Sequence, residues 1–314
     1  MVLKEIKIGN ITTKNNIFVA PLAGFTDATF RNICYKLGAG LCFTEMVSMK
    51  GLKYSPNESK ELLYTYDTSD IKAVQIFGEN AEIMGEMAKS EYLKDFDIID
   101  INMGCPVNKI FSNGEGSALL GDIKKASNII KSVCKSGKIV TVKFRIGITE
   151  NNFVTEDFSK MCEDSGAKMI SIHGRVKTAI YSGECNFSEI EKAKKAVSIP
   201  VIANGGIFTK QDAENMFERT GCDGIMLARG VLENPLLISE LTNTKTSLTL
   251  KDIILCQIDE TASRYGKERG AIMLRKQMAY YLKGIPGSKK LKQQVFTVTN
   301  TDIMKELFLT SNIF

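Results

Sequence analysis

A barrel of eight parallel strands alternating with helices, followed by a small all-helical bundle, is the fold class that this sequence predicts. Three observations carry the prediction. Short β-branched apolar runs recur eight times over the first 228 residues with amphipathic segments between them, the pattern of a parallel βα array. Eight strands close an α/β barrel of the TIM (β/α)8 type, typically ~250 residues; a doubly wound open sheet is the alternative. Polar and glycine-rich signatures follow the runs rather than precede them, and in a closed barrel those strand ends share one rim.

The runs are Ile17–Leu22, Leu41–Met46, Ala73–Phe77, Ile98–Met103, Ile139–Phe144, Met169–Ile172, Pro200–Ala203 and Gly224–Ala228. Between them, Glu79–Lys94 places Ile83, Met87 and Leu93 among charges at helical spacing. Asp122–Lys135 does the same with Ile123, Ala126, Ile130 and Val133, opening on an aspartate and stopping before Gly137. Residues 1–241 therefore read as the barrel and 242–247 as a polar linker. Residues 248–314 read as a helical domain, with helices at Thr249–Tyr265, Glu268–Lys283, Ser288–Val298 and Thr301–Leu309.

Composition narrows the chemistry. The 314 residues are 44% hydrophobic and 25% charged, enough to build a core without disulfides or metal. No apolar run approaches the ~20 residues of a membrane span, and the N-terminus lacks a signal-peptide pattern. A soluble protein of the cytoplasm is expected. The eight cysteines contain no CxxC pair and the one histidine is His173, which disfavours zinc ribbons and poly-histidine sites, so no metal is expected. The net charge of +5 is uneven: residues 245–314 hold 12 basic and 6 acidic side chains, whereas the first 244 hold 29 and 30. A segregated basic segment points to a polyanionic partner, with a solvated helix face as the alternative.

Candidate site residues lie after the strands. Asn204-Gly205-Gly206 ends the seventh run and Ala228-Arg229-Gly230 the eighth. These are the loops that, with helix N-termini, bind phosphate in such barrels; the alternative is that the glycines serve only tight turns. Lys143 ends an otherwise buried run and should face the rim or an ion-pair partner. Gln75 and Asn102 could offer amides to a heterocycle. Cys105, on the turn shaped by Gly104 and Pro106, would be mostly thiol at neutral pH and suited to giving a proton, or would simply pack. His173, beside Arg175, either faces the ligand or is a satisfied structural imidazole.

Taken in order, Ala20-Pro-Leu-Ala-Gly-Phe-Thr-Asp27, Gln75-Ile-Phe-Gly78, Asn102-Met-Gly-Cys-Pro106, Val142-Lys-Phe-Arg145, His173-Gly-Arg175, Ala203-Asn-Gly-Gly206 and Leu227-Ala-Arg-Gly230 resemble the tRNA-dihydrouridine synthases. Leu274-Arg-Lys-Gln-Met-Ala-Tyr-Tyr-Leu-Lys-Gly284 resembles that family's helical domain. The resemblance implies an FMN enzyme that uses NADPH, or NADH, to reduce a uracil C5=C6 bond in the D-loop of tRNA, acting as a monomer. It implies that Pro21, Leu22, Ala23, Gln75, Lys143 and His173 hold the flavin ring, and that Asn204, Gly205, Gly206, Ala228 and Arg229 hold its phosphate. Hydride would go to C6 and a proton from Cys105 to C5. Asn102, Arg145 and Arg175 are expected at the substrate base, after a uridine is swung out of the folded RNA. Arg275, Lys276, Lys283, Lys289, Lys290 and Lys292 are expected to grip RNA phosphates.

Three positions depart from the family pattern: Val176 where Thr is usual, Ala228 where Gly is common, and Gln277 where His is frequent. The last removes a possible RNA contact. Rival readings are an FMN barrel acting on a free pyrimidine, a synthase acting on ribosomal RNA, a non-catalytic RNA-binding scaffold, and a flavin-free phosphosugar enzyme.

Overall fold

The computed structural model describes residues 2–68 and 70–313. Eight parallel strands close into a barrel: β1 (Ile17–Val19), β2 (Leu41–Ser48), β3 (Ala73–Phe77), β4 (Ile98–Met103), β5 (Ile139–Arg145), β6 (Ile170–His173), β7 (Val201–Asn204) and β8 (Gly224–Leu227). β8 pairs with β1 through Ile225 with Ile17 and Leu227 with Val19, and the Ala20 N–H donates to the Leu227 carbonyl at 2.8 Å. The open sheet is thereby excluded. β1 is shorter than its apolar run because Pro21 has no N–H to continue the ladder.

Side chains alternate along each strand, so every second residue points into the barrel. The inward layers are graded. At the bottom, Ile98, Ile139, Met169, Ile202 and Met226 pack with Phe18, Leu41, Phe43 and Ala73. An N-terminal hairpin, Ile6–Ile8 paired with Ile11–Thr13, stoppers that end with Ile6 and Ile8. One step up the barrel the inward residues turn polar, with Asp100 beside Thr141 and Ser171 on β6. At the top come Asn102 beside Lys143, and His173 beside Asn204. The register therefore lifts polar groups toward the rim while keeping the base dry.

The helices depart from expectation in detail. The segment expected as one helix over Glu79–Lys94 is a helix at Ala81–Ala88, capped by Asn80, then a 3-10 turn at Glu91–Leu93. The Ser90 hydroxyl donates to the Met87 carbonyl at 2.6 Å and closes the last turn. The helix Ile123–Cys134 is capped by Asp122 as expected.

Four helices follow the barrel: Leu250–Tyr265, Lys267–Tyr281, Lys289–Thr297 and Thr301–Leu309. Thr249 and Asp252 form a capping box at the first. Ile254, Ile258, Leu274, Met278 and Tyr281 of these helices belong to the same buried apolar cluster as Leu37, Leu232 and Leu237 of the barrel. Polar contacts reinforce the junction: Lys36 pairs with Glu260 at 3.0 Å, Arg269 with Glu61 at 2.8 Å, and Lys283 with Glu233 at 2.6 Å.

Candidate active site

A cavity of about 420 Å³ opens at the carboxyl ends of the strands. Seven of the eight strands or their following loops line it, but not the seven expected. Met46 of β2 takes part, whereas Gln75 of β3 lies fully buried beneath the floor. Pro21, Leu22, Ala23, Asn102, Cys105, Lys143, Arg145, His173, Arg175, Asn204, Gly205, Gly206, Ala228 and Arg229 all line it. The lining includes four cationic side chains, those of Lys143, Arg145, Arg175 and Arg229, and not one carboxylate. Such a surface favours an anionic ligand, since its positive field is left uncompensated.

Each cation is held differently. Lys143 reaches across the floor and donates from Nζ to Asn204 Oδ1 at 3.1 Å. Asn204 is oriented in turn by giving its Nδ2 to the Met226 carbonyl at 2.7 Å. Burial, with Arg145 nearby, pushes the Lys143 ammonium down to about 8. Arg145 donates from Nε to the Gly104 carbonyl at 2.9 Å, and from Nη1 to the carbonyls of Val176 and Ile180 at 3.0 and 2.8 Å. It thus ties the Cys105 turn to the loop after β6. Arg175 holds that same loop through Nε and Nη2 to the Gly183 carbonyl, at 3.0 and 2.9 Å.

Arg175 Nη1 lies 3.3 Å from His173 Nε2. A guanidinium can only donate, so Nε2 accepts and the imidazole carries its proton on Nδ1. Burial, together with four nearby cations, pushes the imidazole well below its usual range and keeps it neutral. Arg229 lies over the ring of Tyr181, at 4.9 Å, and near that of Phe208, at 5.7 Å. It has no carboxylate partner among the described residues.

The glycine loops are shaped for close approach. Gly205 has φ +124°, and a Cβ there would lie 2.8 Å from His173 Cδ2. At Gly230 a Cβ would lie 2.3 Å from the Ile207 carbonyl oxygen. One expectation changes: the helix after β7, Lys210–Thr220, does not offer a free N-terminus. Thr209 and Asp212 close it with a capping box, and Asp212 places a carboxylate in its first turn. Anion contacts on this side fall to the loop backbones and Arg229.

Cys105 is half-buried at the cavity edge. Its N–H donates to Asn102 Oδ1 at 2.9 Å, and its carbonyl accepts from the Ser117 N–H and hydroxyl at 3.2 and 2.8 Å. Burial raises the thiol, with the Val107 N–H and Arg145 opposing. The group is therefore protonated at neutral pH, the form a proton donor needs.

Aromatic walls escaped the sequence reading. Tyr181, Phe208, Phe25 and Tyr280 line the cavity, and Phe25 meets Tyr280 edge to face at 5.2 Å. Tyr280 belongs to the helix Lys267–Tyr281, so the tail completes a wall of a cavity in the barrel. It sat within a quoted motif, but only tertiary packing tells which face of that helix meets the rim.

The tail residues divide. Lys276, Lys289 and Lys290 are exposed and carry no ion pair among the described residues; Lys292 is half-buried. Arg275 instead gives Nε and Nη2 to the Val298 carbonyl at 3.1 and 2.7 Å, and Lys283 is paired with Glu233. Gln277 is buried, donating to the Leu232 carbonyl at 3.1 Å. The side chain at this position, where a possible RNA contact was expected to be lost, faces the barrel.

A closed βα barrel whose rim cavity joins four cations, glycine loops and a protonated thiol defines a class: α/β-barrel proteins with an anion-attracting cavity at the carboxyl ends of the strands. The dihydrouridine synthase (Dus) family profile matches residues 18–312, and the chain belongs to that family. It is 36% identical over 305 residues to tRNA-dihydrouridine synthase B of Pasteurella multocida (strain Pm70), covering 94% of this chain and 92% of that one. A probable tRNA-dihydrouridine synthase of Rickettsia prowazekii (strain Madrid E) is 35% identical over 312 residues, covering 96% and 95%. Among solved structures, histamine dehydrogenase from Rhizobium sp. 4-9 superposes with a TM-score of 0.61 at 14% identity. That match covers 88% of this chain and 50% of the other and reflects the fold alone.

Proposed function

We propose that this chain reduces uridines of tRNA to 5,6-dihydrouridine, with FMN as cofactor, NADPH or NADH as reductant and no metal, acting as a monomer in the cytoplasm. The observation that carries the reading is the cavity itself: four cations and no carboxylate, with the Cys105 thiol at its edge. A flavin phosphate fits this donor set. Its place is between Arg229 and the loops at Gly205–Gly206 and Ala228, where an added Cβ at Gly205 would collide with His173. Pro21–Ala23 and His173 would border the ring, and Lys143 would stabilise negative charge on it. Gln75 acts from below rather than by contact.

Once reduced by NADPH or NADH, bound FMN would be the source of the hydride for uracil C6. The chain contributes the rest. Cys105 gives the proton to C5, so that one hydride and one proton add across the double bond. General acid assistance of this kind is typically worth 10²–10⁴-fold. Asn102 and Arg145 stand beside Cys105 and orient the base. Residues 248–314 act as the RNA-gripping unit beyond the 242–247 linker, with Lys276, Lys289, Lys290 and Lys292 as its phosphate contacts.

The test is nucleoside mass spectrometry of unmodified tRNA incubated with the protein, FMN and NADPH, with Cys105→Ala alongside. Dihydrouridine from the parent protein, reduced 10²-fold or more in the variant, is expected. Equal product from both removes Cys105 from the mechanism. No product from tRNA, with product from ribosomal RNA or free uracil, overturns the substrate.

A further inference from the structure

Beneath the cavity floor lies a carboxylate that the proposed chemistry does not use. Asp100 is fully buried on β4, one inward step above the apolar base of the barrel. Burying a charge here is costly, and an apolar residue would fill the layer more cheaply. Burial pushes its carboxyl up to about 6, while Thr141 and Gln75 oppose the shift by hydrogen bonding. A group retained at such cost calls for a role, and its contacts supply one.

Both Asp100 oxygens are occupied. Oδ1 accepts from Thr141 Oγ1 at 2.6 Å and Oδ2 accepts from Gln75 Nε2 at 2.6 Å. Gln75 Oε1 then accepts from Asn102 Nδ2 at 2.8 Å. Asn102 Oδ1 finally accepts the N–H groups of Gly104 and Cys105 at 3.1 and 2.9 Å. A carboxylate can only accept, so Gln75 must present its NH₂ downward and its oxygen upward. Asn102 must then present its NH₂ to Gln75 and its oxygen to the Cys105 turn. The polarity of two amides, and the acceptor that clamps the turn, follow from one buried acceptor about three side chains away.

We propose that Asp100 is a positioning residue that sets the orientation of Gln75 and Asn102 and thereby holds the Cys105 turn in place for proton delivery. This rests on the function proposed above, but its structural half does not. Without a fixed acceptor at position 100, Gln75 can turn over and offer its NH₂ to Asn102. Asn102 would then offer its own NH₂ to the Cys105 N–H, two donors face to face, and the turn would come loose.

The experiment compares Asp100→Leu, which removes the acceptor, with Asp100→Asn, which keeps an acceptor for Gln75 while Thr141 can accept in return. Asp100→Ser is a third variant, chosen to fold if the leucine does not, because its hydroxyl imposes no polarity. The first readout is the alkylation rate of Cys105 by iodoacetamide, followed by peptide mass spectrometry in the flavin-free and FMN-loaded protein. The second is kcat and KM on tRNA. Leu and Ser should raise the labelling rate at least fivefold and lower kcat at least tenfold, with KM for tRNA within twofold. Asn should stay within threefold of the parent in both.

Parental labelling and kcat in both Leu and Ser overturn the proposal. So does an Asn variant as damaged as Leu, since charge facing Lys143 would then be the requirement. A parent protein that makes no dihydrouridine overturns the activity, and the labelling arm still decides the role of Asp100.

Discussion

The barrel rim and the helical tail both carry clustered positive charge, but the tail holds it in solvent or in surface ion pairs and the rim holds it around a cavity. In the tail, Lys267 pairs with Asp302, Lys305 with Asp259, Arg269 with Glu61 and Lys283 with Glu233, and Lys276, Lys289 and Lys290 stand exposed in solvent. At the rim, Lys143, Arg145, Arg175 and Arg229 line a cavity without an acidic neighbour in its wall and are held by amides, backbone carbonyls and aromatic faces. The excess counted in the sequence lies in the last 70 residues, yet the four cations that converge on one cavity sit in the barrel. Exposed pairs contribute little and are screened by salt, whereas cations in the wall of a cavity that holds no carboxylate are placed to meet an anionic ligand, with Asp100 beneath the floor acting only on Lys143. Net charge by segment therefore marked the tail and understated the rim.

The largest effect is expected at the rim. Gly205→Val puts a branched side chain at φ +124°, where even a Cβ would lie 2.8 Å from His173. Flavin retained on purification should fall at least a hundredfold, read by absorbance, while tRNA affinity stays within threefold. Retained flavin would mean that the phosphate lies elsewhere.

Lys143→Met should lower dihydrouridine formation ten- to a hundredfold, and its signature is a pH dependence. The buried ammonium titrates at about 8 in the folded chain against 10.5 unfolded. Between those values the unfolded chain binds the proton and the folded one does not, so stability rises with pH across that window. In the flavin-free protein, any advantage of the Met variant in Tm at pH 7 should shrink by pH 10. Loading an anionic ligand onto Lys143 should flatten the trend. A difference independent of pH would mean that the ammonium is not desolvated.

In the tail, converting Lys276, Lys289, Lys290 and Lys292 together to Gln should reduce the slope of log K against log salt for tRNA by about 3, at ~0.7–0.9 per phosphate contact. Flavin content should not move. An unchanged slope would leave the tail as packing and transfer RNA contact to the barrel. The smallest effect belongs to Gln277→Leu. It removes one hydrogen bond to Leu232 but also a buried oxygen that lacks a partner. Stability should change by no more than about 1 kcal/mol, and tRNA affinity should stay within twofold.

The strands were legible because each is a short apolar run and the punctuation between them is local. The order of motifs along the chain was enough to gather most of them on one rim. What escaped depends on register or on contacts distant in sequence. Gln75 ends an apolar strand just as Asn102 does, and only the pairing of Gln75 with Asp100 rather than Asn102 shows that it sits one layer lower. Asp100 itself, inside an apolar run, has no local pattern to mark it. Nor does periodicity show that Gln277 faces the barrel, that Asp212 closes the helix meant for phosphate, or that Arg275 is occupied by the Val298 carbonyl. These are outcomes of packing between segments far apart in the chain.

The hairpin that stoppers the barrel sets an order of events during synthesis. Ile6 and Ile8 are finally buried against Ile202 and Met226, and β1 closes on β8. At ~5–20 residues per second, the ribosome takes roughly 10–40 s to make the chain between them. Throughout that interval the apolar stopper lacks the Ile202 and Met226 part of its seat, and one edge of the first strand lacks its native partner. Contacts of such long sequence separation form slowly. The newborn chain therefore has a built-in waiting period, in which the barrel's last seam stays open until its final strands are made.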